Sequence, residues 1–229
     1  MPNEILLIIN LIIIYGGIMV FYKLFGYKGL FAFYASAMIL ANIEVMILID
    51  AFRMEQTLGN VLFASTFLIT DIISENEGKH KSNELVNIGI GVSLVFIIIS
   101  QLWLLYTPSQ NDWAFPYFEA LFTNTPRIVI AGFLVGALVQ KIDVFLYHKW
   151  WGYTEKKFGS KDKMLWLRNN GSTLISQFIN AVLFNIAAFA GTYSFSTLAT
   201  IIISTYIIYM IVTLLDTPFV YLARKIHRS

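Results

Sequence analysis

The segment Leu85-Val86-Asn87-Ile88-Gly89-Ile90-Gly91-Val92-Ser93-Leu94-Val95-Phe96-Ile97-Ile98-Ile99-Ser100-Gln101-Leu102-Trp103-Leu104-Leu105-Tyr106 contains no charged side chain. A helix of about 20 predominantly apolar residues crosses a hydrocarbon core about 30 Å thick. This segment is long enough, and lipid offers no partner for an open backbone, so it reads as a membrane-spanning helix.

Working outward, residues 5–25, 30–49, 127–147, 172–191 and 196–215 read the same way. Residues 5–25 carry only Lys23, 30–49 only Glu44, and 127–147 hold Arg127 at the start with Lys141 and Asp143 in the last third. Residues 58–73 are shorter, with Asp71 near their end, but a helix continued through Glu75 reaches the needed length. A re-entrant segment is the alternative there. The predicted fold class is therefore all-α, an integral membrane protein built as a bundle of about seven transmembrane helices.

Composition agrees, since 57% of the 229 residues are hydrophobic and 13% charged, against about 25% charged in soluble domains. A net charge of +2 shows no nucleic-acid footprint. The absence of cysteine excludes disulfides and thiolate metal sites. Residues 5–25 follow Glu4 rather than a basic start and lack a small-residue cleavage pattern, so they read as a retained helix rather than a signal peptide.

Assigning alternate loops to opposite sides collects Lys23, Lys28, Lys79, Lys81, Lys141, Lys149, Lys156, Lys157, Lys161, Lys163, Arg168, Arg224, Lys225 and Arg228 on one side, 14 of the 16 basic residues. Arg53 and Arg127 fall on the other. The positive-inside rule makes the rich side cytoplasmic. The expectation is a multi-pass protein of the cell (plasma) membrane with its N-terminus outside and its C-terminus cytoplasmic. Pro108, Pro116 and Pro126 punctuate a long outer loop, and Gly152 and Gly159 mark a basic inner one.

Polar groups inside a bilayer are costly and are functional candidates by default. On the sixth span Thr173, Gln177, Asn180 and Phe184 are spaced by 4, 3 and 4, one face of a helix. Two amides and an aromatic on that stripe suit a flat, hydrogen-bonding heterocycle, with Phe184 stacking and Gln177 and Asn180 on its edge; interhelical hydrogen bonding is the alternative. Glu44 reads as a mid-membrane carboxylate with no cation in its own span. Ligand binding, proton coupling and an ion pair with Arg127 are its three readings. Asp71 and Glu75, four residues apart near the inner boundary, read as solvated or paired charges. His80, His148 and His227 are all expected in polar loops, with none within helical reach of these carboxylates, so no metal site is expected. No nucleophile is placed beside a base, so no catalytic residues and no enzyme activity are expected, nor any cofactor.

The stretch Phe67-Leu68-Ile69-Thr70-Asp71-Ile72-Ile73-Ser74-Glu75-Asn76-Glu77-Gly78-Lys79 resembles the motif that opens the core of the queuosine precursor transporter family, formerly grouped with vitamin uptake transporters. Three further matches follow in the family's order: Arg127-Ile128 with Gln140, Asp143, Val144 and Phe145; Leu167-Arg168-Asn169-Asn170-Gly171-Ser172-Thr173-Leu174-Ile175-Ser176-Gln177; and Asp216-Thr217-Pro218-Phe219-Val220-Tyr221. With Asn42 they cover the chain from Leu30 onward, and ordered matches are far more specific than one short motif. The resemblance implies a six-helix transporter core at 29–229 with an added N-terminal helix at 1–28. It implies import of a 7-deazaguanine-type base or queuine, used to make the tRNA base queuosine, and adds Asn42, Asp71, Arg127 and Gln140 to the site candidates Glu44, Gln177, Asn180 and Phe184. The chain departs from the family pattern where it carries Asn180 for an Asp, Tyr209 for a Lys and Glu77 for a Tyr. The expected partners are a small heterocyclic substrate and the lipid bilayer. A homo-oligomer or a separate ATPase module is left open, and with it the reading as a substrate-binding subunit of an ATP-driven uptake complex. A seven-helix sensor is the other alternative.

Overall fold

The computed structural model describes residues 2–123, 126–159 and 163–227. Lys161 and Arg228, two of the basic residues assigned to the cytoplasmic side, lie outside the described residues.

The first helix, α1 (Asn3–Glu44), is folded on itself. Gly26 adopts φ 60° and ψ −150°, a region open essentially to glycine alone. In one straight helix residues 17 and 33 would stand about 24 Å apart. Instead a Cβ on Gly17 would lie 2.8 Å from the Phe33 ring, and the Phe21 and Phe33 rings are 5.5 Å apart. The arms 3–25 and 27–44 are thus antiparallel, as the first two predicted spans require.

The second arm stops at Glu44, short of the predicted 49. The next residues form an antiparallel hairpin of β1 (Leu48–Ala51) and β2 (Met54–Thr57), with Leu48 opposite Thr57 and Ala51 opposite Met54. Phe52 and Arg53 close its turn at φ 53° and 60°, the positive-φ pair that matches the strand twist. Hydropathy missed these strands because Ile47, Leu48 and Ile49 extend an apolar run without a change of period. The hairpin receives the chain's start: Asn3 Nδ2 donates to Asp50 O at 2.8 Å, and Phe52 N donates to Glu4 Oε1 at 2.9 Å.

Helix α2 (Gly59–Asn76) occupies the centre and packs against α1, α3 (Gly78–Trp103), α5 (Pro126–Phe158), α6 (Leu165–Phe189) and α7 (Phe195–His227). Of its 18 residues 15 are buried. That burial explains why α2 is absent from the five described helices that are long and apolar enough to cross a membrane: its neighbours are protein, so it need not be apolar on every face. It runs from the hairpin end, where Leu58 N donates to Ile47 O at 2.8 Å, to the Gly26 end, where Asn76 Nδ2 donates to Tyr22 OH at 2.9 Å. It does not turn back.

Helices α5, α6 and α7 extend beyond the predicted spans 127–147, 172–191 and 196–215 into more highly charged sequence. Their backbone hydrogen bonds are internal and need no lipid to persist. The basic inner loop consequently shrinks, and none of the three histidines lies in a loop: His80 is in α3, His148 in α5 stacked on Trp151, and His227 in the last turn of α7. The outer loop contains a short helix, α4 (Phe115–Thr123), whose first turn accommodates Pro116. The flanks of the bundle are apolar, with Ile12 and Leu24 each 65% exposed, as lipid contact demands.

Candidate functional site

A cavity of ≈ 50 Å³ opens in the hairpin half of the bundle, between the last turns of α1, the first turns of α2, the middle of α3, and α5, α6 and α7. Three amides line it, Asn42, Asn60 and Asn180, with the hydroxyls of Thr57, Ser93 and Tyr209 and the rings of Phe63, Phe133 and Phe184. On α1 the wall is Met38, Ala41, Asn42 and Val45, the i, i+3, i+4, i+7 stripe of one helix face.

A hydrogen-bond chain crosses the cavity from α6 to β2. Asn180 Nδ2 donates to Tyr209 OH at 3.1 Å, Tyr209 OH donates to Asn60 Oδ1 at 3.3 Å, and Thr57 Oγ1 donates to the same oxygen at 3.0 Å. Asn180 and Tyr209, two of the three departures from the family pattern, are therefore direct partners. Asn42 Nδ2 donates to Met38 O at 2.6 Å and reaches Ser93 Oγ at 3.4 Å. Phe184 is held edge-on by Phe189, with ring centroids 6.1 Å apart. A cavity of this size holds a few waters, at about 10–15 Å³ each, so a heterocycle enters only as side chains move.

Of the sequence candidates, Asn42, Asn180 and Phe184 line the cavity. Glu44 does not: it is half-buried in the last turn of α1 beside the hairpin rather than mid-helix, about 100° around the helix from the cavity stripe. Its Oε2 is buried with no hydrogen-bond partner among the described residues. The ion pair with Arg127, one of the three readings of Glu44, is not formed: Arg127 is exposed and donates from Nε to Ala187 O at 2.7 Å. Gln140 is buried deeper, donating to Thr66 Oγ1 at 2.7 Å. Gln177 is fully buried with neither amide atom hydrogen-bonded among the described residues. It stands one turn from Asn180 on the α6 stripe, between the cavity and a second polar region.

That region holds Asp71, Asp143 and Asp216, from α2, α5 and α7, all fully buried. Asp71 Oδ2 accepts from Thr173 Oγ1 at 3.1 Å, and Asp216 accepts from Tyr15 OH, which ties the first arm of α1 to α7. Both oxygens of Asp143 lack a hydrogen-bond partner among the described residues. Towards the Gly26 end, Glu75 accepts from Arg168 Nη2 at 2.6 Å and from Tyr147 OH at 2.7 Å, while Arg224 Nε stands 3.6 Å away. The Arg168 guanidinium also covers the Trp151 ring at 4.4 Å. Of the two readings, solvated or paired, Glu75 is thus a paired charge, and Asp71 is buried rather than solvated. Among the described residues no group of three or more His, Cys, Asp or Glu is arranged to hold a metal ion.

Sequence reading missed Asn60, Thr57, Ser93, Phe63 and Phe133 as lining residues. Asn60 was available as an amide at the start of a span; the others carry no signal distinguishing them from packing residues.

The sequence model of the family described as "Putative vitamin uptake transporter" matches residues 57–223. The chain is also 33% identical over 208 residues to a protein of Bacillus subtilis (strain 168) named "Probable queuosine precursor transporter", covering 91% of this chain and 89% of that one. No solved structure matches it. The family match spans α2 to α7, and the match to the Bacillus subtilis protein, leaving out at most 21 residues, takes in the cavity-lining arm of α1 as well, so the chain belongs to the vitamin uptake transporter family.

Proposed function

We propose that this protein imports a queuosine precursor, a 7-deazaguanine-type base or queuine, across the plasma membrane. The observation that carries the reading is the cavity, where Phe63, Phe133 and Phe184 face three amides. A flat ring stacks on the aromatics, and its lactam edge meets a donor and an acceptor. Asn60 Nδ2 and Asn180 Oδ1, which make no hydrogen bond among the described residues, are the groups on offer. Gln177 is the next amide on the route inward.

The chain crosses the membrane seven times in this proposal, with residues 1–28 added to a six-helix core at 29–229. The hairpin end faces outside and the Gly26 end faces the cytoplasm, in support of which the basic residues gather at the latter. The cavity then lies in the outer half, with Glu75 and Arg168 filling the inner half. Import requires the two halves to open alternately around the ligand.

The test is uptake of a radiolabelled 7-deazaguanine into proteoliposomes holding the purified protein. Saturable uptake, and restored tRNA queuosine in a host unable to make the base, are expected. Empty vesicles and protein-loaded vesicles taking up equal label would end the proposal.

A further inference from the structure

We infer that a second cavity, at the hairpin end, is an outer binding site for the transported heterocycle, where the Gln56 amide receives the ring's hydrogen-bonding edge before the ligand reaches Asn60 and Asn180. This rests on the transport reading above. The second cavity measures ≈ 20 Å³ and adjoins the first, sharing Thr57, Asn60 and Phe184 with its walls. Those three side chains form a partition: Thr57 Oγ1 donates to Asn60 Oδ1 at 3.0 Å, and Phe184 is held edge-on by Phe189. On the far side the wall is Leu48, Glu55 and Tyr193, all exposed. The second cavity thus lies between the surface and the inner site.

Its chemistry repeats that of the inner site. Phe189 and Tyr193, with ring centroids 5.7 Å apart, supply an aromatic wall. Gln56, on β2, lines the cavity and is 3% exposed, yet both of its amide atoms lack a hydrogen-bond partner among the described residues. A buried amide left unbonded has lost water without compensation, so such groups are rare unless something else engages them. A primary amide presents a donor beside an acceptor, the pairing that a lactam edge takes. Asn185, the other amide confined to this cavity, already donates from Nδ2 to Ala181 O at 2.7 Å within its own helix. At about 10–15 Å³ per water the cavity holds one or two waters. A heterocycle therefore enters as the exposed Leu48, Glu55 and Tyr193 side chains rotate outward, which unpacks no helix.

Two measurements on the full-length protein test this, both with the 7-deazaguanine that the parent protein takes up. In proteoliposomes, Gln56→Met keeps the length of the side chain and removes its amide. It should raise the concentration for half-maximal uptake about tenfold and leave the maximal rate near the parent's. The thermal midpoint of this variant should hold or rise, because an apolar group replaces an unbonded buried amide. A lowered midpoint would make Gln56 a packing residue, and unchanged half-maximal uptake would show that it does not meet the ligand; either result overturns the inference. In lipid nanodiscs, which leave both faces open to reagent, Leu48→Cys in this cysteine-free chain should react with a maleimide more slowly when the ligand is saturating. Ser109→Cys, exposed and outside the lining, should react at the same rate with and without it. No protection of Leu48→Cys would overturn the outer site while leaving the transport reading standing. A parent protein that takes up no 7-deazaguanine ends that reading and this inference with it.

Discussion

Glu75→Gln removes the charge that Arg168 faces at 2.6 Å, and the two side chains are 2% and 0% exposed. Breaking a buried pair strands the surviving charge at a cost of about 3–5 kcal/mol. The thermal midpoint of the purified protein should drop markedly, and an unchanged midpoint would show that water or another group replaces the carboxylate. The cavity residues act on binding instead. Asn180→Ala deletes the bond to Tyr209 and the acceptor offered to a ligand, so affinity for a 7-deazaguanine should weaken about tenfold, on the scale of about 1–3 kcal/mol for an unpaired partner. Glu44→Gln, off the cavity face, should bind like the parent protein in the same titration. Equal losses for both variants would move the ligand towards the hairpin. At this scale the sequence was informative where a helical period could be read, as for Asn180 and Phe184 on one stripe. It was silent where a partner comes from another helix: nothing local to Glu75 says that Arg168, 93 residues later, will neutralise it.

Among the elements, α1 and α2 depend on glycines for different reasons. Gly26 reverses the chain in a conformation that costs other residues about 1–3 kcal/mol. Gly59 starts α2 against the end of α1, where a Cβ would stand 2.9 Å from Val45 N and 3.2 Å from Ala41 O. Those are backbone atoms and cannot swing aside. Gly26→Ala and Gly59→Ala should each lower the thermal midpoint, the second by overpacking worth about 1–3 kcal/mol. Gly91 meets nothing within 4 Å, so Gly91→Ala should hold or raise the midpoint through the better helix propensity of alanine. If all three variants lowered the midpoint alike, the steric account of Gly26 and Gly59 would be wrong. Hydropathy located α3 and α7 directly, because lipid-facing residues such as Ile98 and Ile203 make them apolar. It weakened at α2 and failed at the β-hairpin, since a helix wrapped by protein need not be apolar and a short strand resembles the end of a span.

For the molecule as a whole, the proposed orientation places Ser109 outside and Lys156 in the cytoplasm. The chain has no cysteine, and both positions are exposed, so single Ser109→Cys and Lys156→Cys variants report sidedness without background. A membrane-impermeant maleimide applied to intact cells should label the first and spare the second; labelling of both would reject the arrangement. Much of that plan is legible in the chain alone. Uncharged runs long enough to cross a bilayer, the placement of basic residues and the ordered motifs imply a helical membrane transporter, because solvent preference and local backbone bonding depend on residues close together in sequence. Which polar side chains meet is another matter. The cavity joins Asn42, Asn60, Asn180 and Tyr209 from α1, α2, α6 and α7, and excludes Glu44, three residues from Ala41 and two from Asn42. Helix rotation and packing set those distances, and no stretch of sequence encodes them locally.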